Sequence, residues 1–219
     1  MVTQHLFEQF DGLKIPGLRH GFTRRIPGIE VARDKAEALK RLEKVHHQLR
    51  GDLGLRDWPL LTAEQIHADK IAVVDGPISN DREFAGCDGL ITNQPRVVLE
   101  IRVADCGAVY LVDPKTPAIG LVHSGKKGTE LSITAKAIEQ MRQHFGSRPA
   151  DLIVQLGPCI RPPHYEIDFA AEIIRQAKSS GVKQVHDCGI CTACDLERYY
   201  SYRAEKGKTG RLLALLAME

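Results

Sequence analysis

Val97-Val-Leu-Glu-Ile-Arg-Val103, Val109-Tyr-Leu-Val112 and Ala118-Ile-Gly-Leu-Val122 are three short apolar runs, rich in β-branched residues, that lie close together near the middle of the chain. Runs of this length and composition read as strands buried on both faces, because a half-exposed strand would alternate apolar with polar residues. Ile71-Ala-Val-Val74 and Leu152-Ile-Val-Gln-Leu156 have the same character. Outward from them, helical spacing occupies Ala32 to Leu55, Thr129 to Phe145 and about Ala170 to Lys178, and the chain runs out in an apolar tail from Leu212 to Met218. Strands clustered between helices, without regular strand–helix–strand alternation, predict an α+β fold rather than a doubly wound parallel sheet.

The chain has 219 residues, 43% of them hydrophobic and 26% charged, a composition that sustains a single packed domain over residues 1–219 without disulfide staples. Thirty basic residues oppose 28 acidic ones, so a net charge of +2 creates no field that would argue for nucleic acid or a membrane surface. The first residues lack the charged-then-apolar layout of a signal peptide, which makes the cytoplasm the expected compartment. In that setting the six cysteines are expected to be reduced thiols, free to act as ligands or nucleophiles. Neither a Gly-x-Gly-x-x-Gly nor a Walker-type loop is present, so no nucleotide-phosphate cradle of those kinds is expected.

Chemistry-bearing residues punctuate the ends of the apolar runs at His67, Cys106 and His123. Two imidazoles and a thiolate are a sound zinc shell that leaves a fourth position open for water or substrate. Their spacing matches no local ligand motif, so buried structural histidines and an inert cysteine remain the leading reading of the residues alone.

A series of short motifs in order supplies what spacing does not: Glu64-Gln-Ile-His67, Cys87-Asp88-Gly-Leu-Ile-Thr92, Ala104-Asp105-Cys106-Gly107, Val122-His123-Ser-Gly-Lys-Lys-Gly128-Thr129, Leu156-Gly157-Pro158-Cys-Ile160, His164-Tyr165-Glu166-Ile167, Cys191-Thr192, Ser201-Tyr-Arg203 and Thr209-Gly-Arg211. Together they resemble the polyphenol oxidase or laccase-domain family, whose members are regarded as zinc-dependent purine nucleoside phosphorylases that also deaminate adenosine. The resemblance runs from His20-Gly-Phe-Thr-Arg24 to Arg211. It implies two packed mixed sheets flanked by helices, similar to the catalytic domain of cytotoxic necrotizing factor, with His67, Cys106 and His123 as the metal ligands. It also implies a purine nucleoside and phosphate as the small-molecule partners. The sequence departs from the family at His123-Ser-Gly-Lys126-Lys127-Gly128, where the usual pattern is His-Ala-Gly-Trp-Arg-Gly. A flat apolar surface is lost there, and lysine keeps the charge of arginine without its planar fork.

Cations in the motif segments, Arg24, Arg25, Lys127 and Arg211, are the candidates for phosphate, with Glu166 a further candidate for substrate contact. Asp105, beside Cys106, is a candidate for proton transfer or for holding a ligand in place. Copper is the alternative metal to zinc. A blue-copper site would call for a weak axial ligand such as methionine, and Met1, Met141 and Met218 are all distant from the three ligands in sequence. Two other classes stay open: a cysteine hydrolase or deamidase using Cys106 and His123, and a binding protein that has lost activity. Cys188-Gly-Ile-Cys191-Thr-Ala-Cys194 has the spacing of a second metal site but no evident fourth ligand.

Overall fold

A computed structural model of the protein describes residues 6–219. The frame of the described residues is two six-stranded sheets, both mixed, with four α-helices, an α+β architecture as expected from the sequence. The strands in chain order are β1 (Phe7–Glu8), β2 (Leu18–Thr23), β3 (Leu60–Ala63), β4 (Ile71–Val74), β5 (Arg82–Phe84), β6 (Gly89–Thr92), β7 (Val98–Val103), β8 (Gly107–Asp113), β9 (Ala118–Ser124), β10 (Ile153–Leu156), β11 (Gln184–Asp187) and β12 (Leu212–Met218). The helices are α1 (Lys35–Asp52), α2 (Lys126–Glu130), α3 (Ile133–Phe145) and α4 (Phe169–Ser179). One sheet runs β1-β2-β12-β7-β3-β5 and the other β11-β10-β8-β9-β6-β4.

The three central runs are buried, Arg102 on β7 only in part, because both faces of their strands have partners. Along β8, Ala108, Tyr110 and Val112 join the core between the sheets, while Val109 and Leu111 join a second core beneath α3 and α4. From the facing sheet, β7 and β12 send Leu99, Ile101, Leu212, Ala214 and Leu216 into the first core. Burying one such aliphatic side chain stabilises by roughly 1.5–3 kcal/mol, so register is strongly specified on both sides of these strands. The outer face of the first sheet carries Val98, Leu213, Leu215 and Ala217 under Leu55 and Trp58.

Two segments differ from expectation. The apolar stretch after Leu212 is no tail: it is β12, antiparallel to both β2 and β7 in the interior of its sheet. The helix expected over Thr129 to Phe145 is broken at Ser132, which takes a left-handed φ of 60°. The break separates α2 from α3 and lets the short helix turn back toward the end of β9. α1 begins where Asp34 accepts the Glu37 N–H, an ordinary N-cap. All six cysteines are free thiols. Among the described residues no helix is long and apolar enough to cross a membrane.

Candidate metal centre

β7 and β8 meet in a tight turn that presents Cys106, β9 carries His123 as its penultimate residue, and the loop from β3 to β4 presents His67. The loop is held by its own side chains. The Gln65 amide extends the sheet edge, donating to the Arg102 carbonyl (2.7 Å) and accepting the Arg102 N–H (2.9 Å). Gln65 and His67 both adopt left-handed φ values, 63° and 61°, which are uncommon for non-glycine residues and mark backbone fixed by its surroundings.

Asp88 is what fixes it. Fully buried at the start of β6, its carboxylate accepts the backbone N–H groups of Ile66 (3.2 Å), His67 (2.8 Å) and Ala68 (2.8 Å). It also accepts His123 Nδ1–H at 2.8 Å. In the neutral ring that bond leaves the Nε2 lone pair free, the arrangement metal-binding histidines commonly share. The sequence shows Asp88 only as part of a motif, and nothing in its spacing marks it as the residue joining two ligands.

The ligand atoms of His67, Cys106 and His123 lie within 4.8 Å of one another, and among the described residues they form the one such histidine–cysteine–carboxylate group. Cys106 Sγ is 3.9 Å from His67 Nε2. Tetrahedral zinc, with bonds of about 2.0–2.1 Å to nitrogen and 2.3 Å to sulfur, requires ligand atoms roughly 3.3–3.6 Å apart, so the donor set fits such an ion after small adjustments. Gly125 makes room for it: a Cβ there would stand 2.6 Å from Cys106 Sγ. Burial opposes ionisation of Cys106, but the charge and hydrogen bond of His123, aided by His67, outweigh it and bring the thiol down to about 6. His123 moves the other way: burial opposes its protonation, and Cys106 and Asp88 together raise it. A thiolate is therefore available at neutral pH.

Asp105, also at a left-handed φ (86°), is a buried tether: one carboxylate oxygen accepts Thr192 Oγ1–H (2.7 Å) and the other the Arg203 N–H (2.7 Å). It ties the Cys106 turn to the 192 and 203 segments, each oxygen taking one donor.

The three ligands open into a cavity of about 590 Å³. Lys35, Arg102, Lys126, Arg203, Lys206 and Arg211 line it, while Asp105 is its one acidic residue among the described residues. Tyr165, Phe169 and Tyr202 supply aromatic surface, and Arg203 and Arg211 lie over the rings of Tyr165 and Tyr202 at 5.0 and 5.8 Å. Of the cations expected from the sequence, only Arg211 is on this wall. Arg24 pairs with Glu8 (2.7 Å) and Arg25 with Glu205 (2.8 Å), Arg25 also lying over Tyr200 at 4.4 Å, and neither lines the cavity. Lys127 is exposed on α2 and off the wall, where Lys126 takes the place assigned to it. Glu166 does not line the cavity; it pairs with Arg203, which does. Cys188, Cys191 and Cys194 do not converge as a metal-binding group among the described residues.

Comparison with known proteins agrees with this architecture. The model of a family described as multi-copper polyphenol oxidoreductase laccase matches residues 26–173 and 167–219. A protein named purine nucleoside phosphorylase YlmD from Bacillus subtilis is 26% identical, over 88% of this chain and 81% of that protein. One named purine nucleoside phosphorylase from Deinococcus radiodurans is 26% identical over 94% and 92%. Among solved structures, YlmD from Geobacillus stearothermophilus superposes with a TM-score of 0.80 at 22% identity, covering 98% of this chain and 99% of that one. A Neisseria meningitidis protein, NMB0706, does so with a TM-score of 0.78 at 20% identity, covering 98% and 99%.

Proposed function

Because the chain belongs to the multi-copper polyphenol oxidoreductase laccase family, we propose that it is a zinc-dependent purine nucleoside enzyme that splits adenosine and inosine with phosphate and also deaminates adenosine. The observation that carries this reading is the convergence of His67, Cys106 and His123 at the floor of a cavity walled by six cations and three aromatic rings. Bound to those three residues, zinc would supply a Lewis acid and a source of hydroxide at neutral pH.

Arg211, Arg203 and Lys126 hold the phosphate dianion, the first two lying over the rings of Tyr202 and Tyr165. The aromatic surface takes the purine. A phosphate oxygen then attacks ribose C1′ as the C1′–N9 bond breaks, giving ribose 1-phosphate and a purine that picks up a proton from water. Asp88 positions His67 and His123 with two donors on each of its oxygens, and Asp105, which lines the cavity, positions Cys106 and keeps acceptor capacity for a proton of the substrate. Deamination uses the same nucleoside turned so that C6 instead of C1′ faces the ligands, where water adds at C6 and the 6-amino group leaves as ammonia to give inosine. The test is to incubate the metal-loaded protein with adenosine or inosine and phosphate and follow hypoxanthine, inosine and ribose 1-phosphate. No turnover above a His123→Ala control refutes the proposal.

One observation favours a second reading. Asp88, His123 and Cys106 also have the order of a carboxylate–imidazole–thiol relay, suited to a cysteine hydrolase or deamidase. Such an enzyme has no use for His67. Activity that survives His67→Ala and dies with Cys106 alkylation would favour it; stoichiometric zinc lost in His67→Ala favours the metalloenzyme.

A further inference from the structure

A second cavity, of about 610 Å³, lies between α1 and the first sheet, on the other side of Arg102 from the metal centre. Its size is that of a small-molecule site. At its wall, in the last turn of α1, Arg50 is buried to 8% exposure. A buried guanidinium is expected to face a carboxylate. Arg50 has none: among the described residues its side chain meets only His47 Nδ1, at 3.3 Å, and its Nε has no partner.

The acids on the same wall are engaged or exposed. Glu100 is taken by Arg102 (2.7 Å), Asp81 accepts the Leu60 N–H (2.8 Å), and Glu43 is solvent-exposed on α1. His46, one turn before Arg50, is also buried at 8% with an unpartnered Nε2. Burial and then the charge of Arg102 hold its pKa down to about 4, so the imidazole is neutral and can donate a hydrogen bond without adding charge. The helix dipole does favour a cation in a last turn, but only weakly. Desolvating a guanidinium costs several kcal/mol, so the dipole does not account for Arg50. An anion would.

We infer that this cavity is a binding site for a small organic oxyanion, a phosphomonoester or a carboxylate, seated on Arg50 and His46 and flanked by Lys40 and Lys44. The apolar part of the wall, Leu39 and Leu60, takes the body of the ligand. The site is independent of the metal chemistry proposed above, although the two cavities share Arg102.

The experiment titrates the full-length, metal-loaded protein, labelled with nitrogen-15 at arginine, with ribose 5-phosphate, inorganic phosphate and succinate in turn. The Arg50 Nε–H resonance is expected to shift and saturate with at least one of them. Arg50→Gln should weaken that binding by about tenfold or more, as expected for a lost charge-assisted contact. Arg211→Gln, at the metal-side cavity, should leave it unchanged. Saturation by the phosphates but not succinate identifies a phosphomonoester site, and the reverse a carboxylate site. Should Arg50→Gln fold poorly, the exposed pair Lys40→Gln/Lys44→Gln must weaken binding several-fold. An Arg50 resonance unmoved by all three anions, or wild-type affinity in both Arg50→Gln and Lys40→Gln/Lys44→Gln, overturns the inference. So does binding lost in Arg211→Gln, which would place the anion at the metal centre alone.

Discussion

Replacing Asp88 by asparagine changes one atom and removes nearly no volume, so its effect reads hydrogen bonding alone. The carboxylate holds four donors, two on each oxygen: His67 N–H and His123 Nδ1–H on Oδ1, Ile66 N–H and Ala68 N–H on Oδ2. An amide has one oxygen, so whichever way the substituted side chain turns, two of the four donors face an NH₂ group. With its oxygen toward His123, the 66–68 loop loses its anchor and His67 its enforced left-handed backbone. With its NH₂ toward His123, Nδ1 becomes the acceptor, the ring proton moves to Nε2, and His123 can no longer donate a lone pair to a metal. A hydrogen bond to a charged group in a buried site contributes about 1.5–3 kcal/mol, so losing two predicts about 3–6 kcal/mol of lost stability. Loss of an outer partner of a metal-binding histidine typically costs 10–100-fold in metal affinity. Thermal unfolding of the metal-free protein and zinc affinity by chelator competition measure the two effects separately. An Asp88→Asn protein with wild-type melting temperature and wild-type zinc affinity would refute the role assigned to Asp88.

Three other outcomes are expected. Gly125→Ala places a methyl 2.6 Å from Cys106 Sγ and should reduce bound zinc below stoichiometric while far-ultraviolet circular dichroism stays the same; full zinc occupancy would show that Cys106 is not a ligand. In the metal-free protein Cys106, brought down to about 6, should be alkylated by iodoacetamide at pH 7 far faster than an ordinary thiol, and zinc should protect it. For acid stability, burial leads the lowering of both His20 and His46 to about 4, with Lys14 and Arg102 adding to it respectively. Between about pH 6.5 and 4 the unfolded chain therefore binds more protons than the folded one. Stability is full above pH 6.5 and falls below it by about 1.4 kcal/mol per pH unit for each histidine. His20 Nε2 also accepts the Phe10 N–H at 2.9 Å, a bond its protonation would break. A melting temperature whose fall between pH 6.5 and 4.5 is as steep in His20→Asn/His46→Gln as in wild type would rule these histidines out as its cause.

The sequence made the inner strands of the sheets legible because short runs dominated by β-branched and aliphatic residues admit few other readings. Nothing in it signals that Leu212–Met218 lies in a sheet interior, since an apolar run carries no record of its partners, and β2 and β7 are distant in the chain. The break at Ser132 was hidden because helical spacing of apolar residues continues across it. His67, Cys106 and His123 could be named from strand ends and ordered motifs, yet only the fold brings them within reach of one ion. Arg24 and Arg25 carried the right charge in suggestive segments, and their carboxylate partners, Glu8 and Glu205, are invisible without tertiary contacts. Choosing Lys127 over Lys126 was a matter of phase: adjacent residues on a helix point about 100° apart, and only one of the two lines the cavity.

The placement of β12 has a consequence for how the protein assembles. Its register pairs His20 with Leu216 and Phe22 with Ala214, so the first sheet is joined across almost the whole length of the chain. Until those last residues arrive, β2 and β7 have no neighbour to bridge them, and the apolar faces of both are open to water or to other molecules. Such long-range pairing predicts slow folding with a late closing step, because much chain entropy must be lost before the contacts form. The second sheet, made of segments from residues 71–187, can form earlier. A chain cut before Leu212 would then retain that half as a sticky partial fold, one that a chaperone would bind and a protease would trim.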